Sequence, residues 1–414
     1  MRSFAYWPSR LRLGNELLKQ MSFGGRLLGS GHFAMIDRTS IARLAIGIFT
    51  LISICNGALL AQGIPGTPQQ RESEGQPRLA HRPEPKPKHL LIPEGKIKLD
   101  VVVDDATGMP VLDLQPWDFK IIDNNQPRKV LSFRAYDGVT VMPDPAVEVI
   151  LVLDTLNLPF PQVAFVRGEI DKFLRQNGGK LKQPLTLILL TDAGIRFQPR
   201  PSTDGNAIAS VVDGIKGRVS LINPAMGSDG YVERFQRSAK AMNDIAHNEE
   251  KKPGRKLLIW VGPGWPMLNR PSERYSEKDQ KRNFDNIVDL STALGLARIT
   301  VYSVAPASGS GLNSLLYRNF LGPVRTYHDA DFGNMALKVL VTQTGGKILG
   351  PDNDLVGQIT RCIEDANAFY QISFDPPAAV HADEYHDLMV TVQKPGSFVR
   401  TRSGYYNQPI VNTN

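Results

Sequence analysis

The middle of the chain alternates short apolar runs with longer segments of helical periodicity. Four of the runs are long and apolar enough to be strands covered on both faces, and a short hairpin partner and a weaker sixth strand accompany them. In chain order the predicted strands are Val147–Leu153, Leu185–Leu190, Ile195–Gln198, Lys256–Val261, Arg298–Val304 and Lys347–Leu349. This alternation predicts an α/β fold, with a doubly wound, mostly parallel sheet and helices on both sides.

Strands of a different pattern flank this α/β region. Ile97–Val103 alternates apolar and polar residues, and Asn, Asp and Gly turns separate it from two further N-terminal strands. The same alternation occurs near the other end of the chain, in Phe369–Phe374, Tyr385–Val392 and Ser397–Arg402. A period of two is typical of antiparallel strands with one wet face. Because each flank has too few strands to be stable alone, we expect the flanks to pair across the insertion into one small β-sandwich.

These patterns predict the domain organisation of a chain that, at 414 residues and 42% hydrophobic, can bury two cores. We expect an N-terminal β flank over 94–140, an α/β domain over 145–350, a connecting helix over 351–368, a C-terminal β flank over 369–407 and a tail over 408–414.

The first 93 residues predict export and a tether. Basic residues precede the apolar run Leu44–Ile54, and Ala61 offers a small residue for cleavage, which is the pattern of a signal peptide over 35–61. Residues 1–34 are interpreted as an extension upstream of a better start. The Pro-rich, charged segment 62–93 predicts a disordered tether. We therefore expect a secreted protein, periplasmic or extracellular, that contacts a membrane only through the signal segment if this stays uncleaved.

The net charge of +7 suggests a nucleic-acid partner only until it is located. Residues 1–61 hold seven Lys and Arg against two Asp and Glu, so the rest of the chain carries 41 basic and 39 acidic residues. A nearly neutral mature chain argues against binding nucleic acid. Only Cys55 and Cys362 occur, and the first would leave with the signal peptide, so no internal disulfide is expected.

Asp154 closes the first apolar run of the predicted sheet. Ligands of parallel sheets bind at the carboxyl edge, so we expect this side chain to face outward and to meet a partner there. Trp265 lies in a loop at the same edge, where it is either part of an exposed patch or, slightly favoured, of the core. The predicted ligand-binding residues are Asp154, Thr155, Asn157, Thr203, Asp204, Gly262, Gly264 and Trp265.

Several short motifs together resemble the von Willebrand factor A (vWA)-related domain proteins common in Acidobacteria, over about residues 94–407. The resemblance implies an A-domain sheet between β flanks, and adhesion or assembly more than catalysis. The motifs are Val101-Val102-Val103-Asp104 with Gly108-x-Pro110-Val111-x-x-Leu114-x-x-x-Asp118-Phe119, Leu153-Asp154-Thr155-Leu156-Asn157, Gly254-Arg255-Lys256 before Trp260-Val261-Gly262-x-Gly264, Thr344-Gly345-Gly346 and Val399-Arg400-Thr401-Arg402-x-Gly404-Tyr405-Tyr406.

The resemblance also implies a degenerate metal-ion-dependent adhesion site. Metal-binding A domains hold a divalent ion with Asp-x-Ser-x-Ser after the first strand, a Thr from a second loop and an Asp after the fourth strand. Here Asp154 and Thr203 match, but Leu156 and Leu158 replace the serines and no carboxylate follows the fourth strand. Hard cations need several oxygen ligands, so we expect no cofactor or a weakly held Mg, Mn or Ca ion.

The preferred functional prediction is a binding or adhesion protein without enzymatic turnover. Its partner is expected to be a protein or another cell-envelope macromolecule, engaged through the loops around Asp154, Thr203 and Gly262. One alternative is a metal-dependent hydrolase using Asp154, Asp192 and Asp204. It is disfavoured because no paired carboxylates or Ser/His constellation occur at a recognisable spacing. The other alternative is an inert structural component of the envelope.

Overall fold

A computed structural model describes residues 97–214, 227–266, 276–307 and 315–409. The predicted signal peptide, the tether and the end of the predicted tail lie outside these residues. Within them, no helix has both the length and the apolar character needed to cross a membrane.

The described residues form six α-helices and fifteen strands. The helices are α1 (Phe160–Arg175), α2 (Gly205–Asp213), α3 (Gly227–Glu249), α4 (Glu277–Leu296), α5 (Leu337–Gln343) and α6 (Leu355–Ile363). The strands are β1 (Ile97–Asp104), β2 (Phe119–Asp123), β3 (Gln126–Arg128), β4 (Ser132–Tyr136), β5 (Glu148–Asp154), β6 (Lys180–Thr191), β7 (Gly194–Phe197), β8 (Ser202–Asp204), β9 (Lys256–Val261), β10 (Ile299–Val304), β11 (Ile348–Leu349), β12 (Phe369–Phe374), β13 (Glu384–Val392), β14 (Phe398–Arg400) and β15 (Gly404–Asn407).

The central region folds into a seven-stranded, mostly parallel sheet. The strand order is β11-β10-β9-β5-β6-β7, with β7 antiparallel at the edge and β8 antiparallel to the start of β6. Along β5, Val149, Leu151 and Leu153 pack into one hydrophobic cluster, and Ile150 and Val152 pack into the cluster on the other face. Both faces are therefore covered, which confirms the α/β prediction and explains the unbroken apolar run.

The flanking strands pair across the insertion, as predicted. They form two four-stranded antiparallel sheets, β14-β1-β12-β4 and β15-β13-β2-β3, and each sheet contains strands from both ends of the chain. Inward residues of both sheets, including Val101, Ile121 and Val390, share one hydrophobic cluster. The short strands β3 and β15 were not predicted, since their few residues show no clear alternation.

A buried charge network joins the C-terminal flank to the parallel sheet. Asp365, just after α6, accepts hydrogen bonds from both terminal nitrogens of Arg400 at 2.7 and 2.9 Å, from Lys347 at 2.9 Å and from Tyr302 at 2.8 Å. Arg400 also donates to Asp104 of β1 at 2.9 Å. Arg400 of β14 therefore links β1 to the segment that follows α6.

Candidate functional site

Asp154 is the last residue of β5 and is completely buried, with 0% of its surface exposed. The expectation that its carboxylate faces outward and meets a partner is therefore wrong. The sequence placed Asp154 correctly at the carboxyl edge of the sheet, but the layers above this edge cover the side chain. The groups that hold Asp154 inside the protein determine its role.

Neutral donors of the protein hold the Asp154 carboxylate. The backbone N–H of Asn157 donates to Oδ1 at 2.9 Å, and the Asn157 side-chain amide donates to Oδ2 at 2.8 Å. The indole N–H of Trp260, from the neighbouring strand β9, donates to Oδ2 at 2.8 Å. These three donors come from two different elements, so the carboxylate fixes the loop after β5 against β9.

Burial shifts the titration of this acid. Loss of solvent raises the pKa of Asp154 from 3.8 to about 6, and the hydrogen bonds from Asn157 and Trp260 only partly oppose this rise. A carboxylate surrounded by neutral donors keeps its charge less easily than one beside a cation. Arg234, which is also buried, contributes a favourable charge interaction, while burial lowers the pKa of its own guanidinium.

Helix α3 covers Asp154, which the sequence alone did not predict. Ser238 of α3 is fully buried and accepts a hydrogen bond from the Asn157 amide at 2.9 Å. Arg234 and Ser238 continue the inward-facing stripe of Ala241 and Ile245, which are buried in the core. The sequence does contain a sign of this contact: Arg234 and Ser238 are polar residues on an otherwise apolar helix face. Polar side chains at buried positions need a hydrogen-bond or charge partner, so these two residues indicate a buried polar group opposite the helix.

The other predicted residues near this edge have structural roles. The Thr155 hydroxyl donates to the Leu190 carbonyl at 2.7 Å. A Cβ at Gly262 would lie 2.9 Å from the Cβ of Asp154, so the chain approaches the acid more closely than other residues allow. Gly264 has a φ of +79°, a conformation that favours glycine in a turn. Trp265 is buried, donates to the Met335 carbonyl at 3.1 Å and lies edge-on to Trp260, which confirms its assignment to the core.

The structure does not bring Thr203 or Asp204 to this site. Both residues lie in β8, which pairs with Lys180 and Leu185 near the start of β6, whereas Asp154 pairs with Leu190. Leu185, the partner of Ser202, lies five residues and roughly 16 Å before Leu190 along β6, and Lys180, the partner of Asp204, lies further away still. Asp204 instead caps α2 by accepting a hydrogen bond from the backbone N–H of Ala207 at 3.0 Å.

Two predictions about a metal site are therefore wrong in their geometry. Asp154 and Thr203 cannot share an ion, and the hydrolase alternative built on Asp154, Asp192 and Asp204 loses Asp204 to the opposite edge. Asp192 stays at the carboxyl edge, where its carbonyl accepts a hydrogen bond from Arg237 of α3 at 2.5 Å. No group of three potential metal-ligating His, Cys, Asp or Glu side chains occurs in the described parts of the chain.

A second buried acid lies in the β flank, far along the sequence from its partners. Asp123 accepts a hydrogen bond from Tyr405 at 3.1 Å, lies 2.7 Å from Nδ1 of His386 and pairs with Arg128 at 3.2 Å. These contacts tie β2 to β13 and β15. They satisfy a buried polar group inside the flank, and we assign them a structural role.

Comparison with protein-family models and with curated proteins gives no match. Among solved structures, the chain is similar to the human COPII-coat protein Sec24c (TM-score 0.29, 10% identity, 67% of this chain and 46% of that one). It is also similar to the mussel byssus proximal thread matrix protein 1 (0.28, 12%, 53% and 48%). A third is the pilus adhesin SpaC from Lactobacillus rhamnosus GG (0.30, 10%, 69% and 48%). The chain thus spans less than half of each structure, and TM-scores this low carry no argument.

Proposed function

We propose that this chain is a secreted vWA-like binding protein that recognises a protein or envelope macromolecule without turnover and without a metal ion. One observation carries the proposal. The carboxylate that would begin a metal site is completely buried and accepts three hydrogen bonds from Asn157 and Trp260. The neighbouring side chains Leu156 and Leu158, at the positions of the missing serines, are buried in the core. In this proposal, protein donors have taken the place of the ion.

The arrangement of the domain supports the vWA-like assignment. Asp154 ends the first strand of a doubly wound, mostly parallel sheet. The strands of the paired β flanks precede and follow this region along the chain. The resemblance of the motifs implies both features. Export through 35–61 and display on the tether 62–93 belong to the same proposal, because a recognition domain held away from the cell surface reaches partners more easily.

Exposed aromatic side chains at the carboxyl edge suit recognition. Phe160 begins α1 directly after the Asp154 loop and is 51% exposed. Tyr231 lies in the first turns of α3, about 10 Å along the helix from Ser238, and is 46% exposed. Large aromatic residues contribute strongly to interfaces, since they bury much apolar area at little entropic cost. We propose Phe160 and Tyr231 as the partner contacts, supported from below by the Asp154 network.

Co-sedimentation with envelope fragments of the producing organism tests this proposal. We expect the full chain to bind saturably and with equal affinity in EDTA and in Mg²⁺. The double variant Phe160→Ser, Tyr231→Ser should bind at least about tenfold more weakly, because it lacks both aromatic contact residues. Phe398→Ser removes an aromatic residue of similar exposure from the distant strand β14 and serves as the matched control.

Two results would count against the proposal. If EDTA abolishes binding, the carboxyl edge works through an ion. If the double variant and Phe398→Ser bind like the wild type, the exposed edge is not the contact surface, and the inert structural alternative becomes the better description.

A further inference from the structure

A cavity of about 60 Å³ lies where the C-terminal segment 401–406 packs against α4 and α5. Its walls include Thr401, Arg402 and Tyr385 from the C-terminal flank and Gly295 from α4. The cavity lies outside the Asp154 network and the proposed contact residues at the carboxyl edge. It is therefore a separate place at which a ligand can bind.

Arg402 brings an unneutralised positive charge to this cavity. Among the described residues, its side chain makes one hydrogen bond, from Nε to the Gly404 carbonyl at 2.9 Å, and no carboxylate pairs with it. The adjacent arginine of the same motif differs, because Arg400 binds both Asp365 and Asp104. Arg402 is partly buried, and a guanidinium that has lost part of its hydration without gaining a counter-ion favours an anionic partner.

The side chains around Arg402 do not provide the negative charge that would neutralise it. Burial lowers the pKa of Arg402 to about 10, so the guanidinium remains charged at neutral pH. The charge interactions on it come from Tyr385 and Tyr405. Burial raises the pKa of Tyr385 to about 12 and that of Tyr405 further still, so both phenols are neutral at physiological pH. Asp100 also lines the cavity but forms an ion pair with Arg298.

The cavity wall is shaped around the guanidinium and carries a second unused donor. A Cβ at Gly295 would collide with Nη1 of Arg402, so glycine within α4 makes the room that this side chain occupies. The Thr401 hydroxyl is buried and has no hydrogen-bond partner among the described residues. Buried hydroxyls are nearly always paired, so this one is an independent sign that a polar group belongs beside it.

We propose that this cavity binds a carboxylate group, held by the guanidinium of Arg402 and the hydroxyl of Thr401. The planar fork of an arginine matches the two oxygens of a carboxylate, and the threonine adds a third donor. The volume accommodates about four water-sized groups, the size of an acetate.

Acetate binding to the full chain, measured by isothermal titration calorimetry against acetamide as the neutral isostere, tests this site. We expect saturable binding of acetate and none of acetamide. Arg402→Gln should weaken acetate binding at least tenfold, and Arg402→Lys, which keeps the charge but not the fork, should weaken it less. Arg325→Gln is the matched control, because Arg325 is an exposed arginine beside Tyr385 whose charge is already paired with Asp387.

Thr401→Val keeps the proposal falsifiable if Arg402→Gln does not fold. It removes only the unpaired hydroxyl. We expect a severalfold loss of acetate affinity and an unchanged free energy of unfolding. Equal binding of acetate and acetamide, or wild-type affinity in either Arg402→Gln or Thr401→Val, would overturn the proposal.

Two further titrations identify the source of the carboxylate. A short peptide with a free carboxyl terminus is compared with its amidated form, and glucuronate with glucose. A preference for the free peptide assigns a protein chain end as the ligand, and a preference for glucuronate assigns an acidic sugar. These results do not depend on binding at the carboxyl edge, so either proposal can fail without the other.

Discussion

The carboxyl edge of the parallel sheet and the junction with the C-terminal flank each contain a buried aspartate, but the two acids are held in opposite ways. Asp154 accepts hydrogen bonds from the neutral groups of Asn157 and Trp260. Asp365 lies between two cations, Arg400 and Lys347. Burial raises the pKa of Asp154 to about 6. Burial also acts on Asp365, but its hydrogen bonds and charge interactions with Arg400 and Lys347 are stronger together, and its pKa is lowered.

The comparison shows that depth alone does not determine what a buried acid does. Asp365 remains charged and connects two parts of the fold through its charge. Asp154 takes up a proton, and so loses its charge, at about pH 6, and it serves mainly as a hydrogen-bond acceptor. An acid at the carboxyl edge of a parallel sheet is therefore not a ligand-binding group by position alone.

Removal of the Asp365 carboxylate should lower the free energy of unfolding more than any other change predicted here. Asp365→Asn removes the buried carboxylate between two partly buried cations, which leaves Arg400 with Asp104 alone and Lys347 without its carboxylate partner, and we expect the free energy of unfolding to fall by about 4 kcal/mol. Urea unfolding at neutral pH measures this loss. Asp213→Asn removes an exposed partner of Arg175 and should cost less than about 1 kcal/mol. Equal losses in the two variants would mean that the junction network does not stabilise the fold.

A somewhat smaller effect is expected at the neutral network. Asp154→Ala removes the acceptor for the Asn157 amide and the Trp260 indole, and leaving these buried donors unpaired should cost about 3 kcal/mol. Thr155→Val removes a single partly buried hydroxyl bond next to it and should cost about 1 kcal/mol. Urea unfolding of both variants compares them. A smaller loss for Asp154→Ala than for Thr155→Val would contradict the assigned role.

The two acids should also respond to pH with opposite sign. The folded-state pKa of Asp154 lies above its unfolded value of 3.8. Its contribution is therefore fully present below about pH 4 and is lost as the pH rises to about 6, a change of about 3 kcal/mol. The pKa of Asp365 is lowered, so its contribution is present above the unfolded pKa and is lost as the pH falls.

Urea unfolding of the wild type and Asp154→Asn between pH 4 and pH 6.5 isolates the Asp154 contribution. The difference in unfolding free energy between the two proteins should change over this range in favour of the variant as the pH rises. A constant difference would mean that the carboxyl group has an ordinary pKa in the folded protein.

The sequence predicted the fold well because the relevant signals are local. The apolar run of β5 and the alternation of β1 each reveal how many faces of a strand are covered, and this was enough to predict the parallel sheet and the pairing of the flanks. The candidate site was predicted only in part. Asn157, which binds Asp154, is itself bound by Ser238 of α3, more than eighty residues further along the chain. The position of Thr203 depends on the pairing of β8 with the first half of β6. No local pattern contains such long-range information.

The most direct test of the central claim is the titration of the Asp154 carboxyl carbon by NMR, in EDTA and again with millimolar Mg²⁺ or Ca²⁺. The signal is assigned by its absence in Asp154→Asn. An acid that is buried and held by neutral protein donors should titrate with a pKa of about 6, and the curve should be identical with and without the ions. A pKa near or below 3.8 that falls further when the ion is added would show an accessible metal ligand, and would contradict the account.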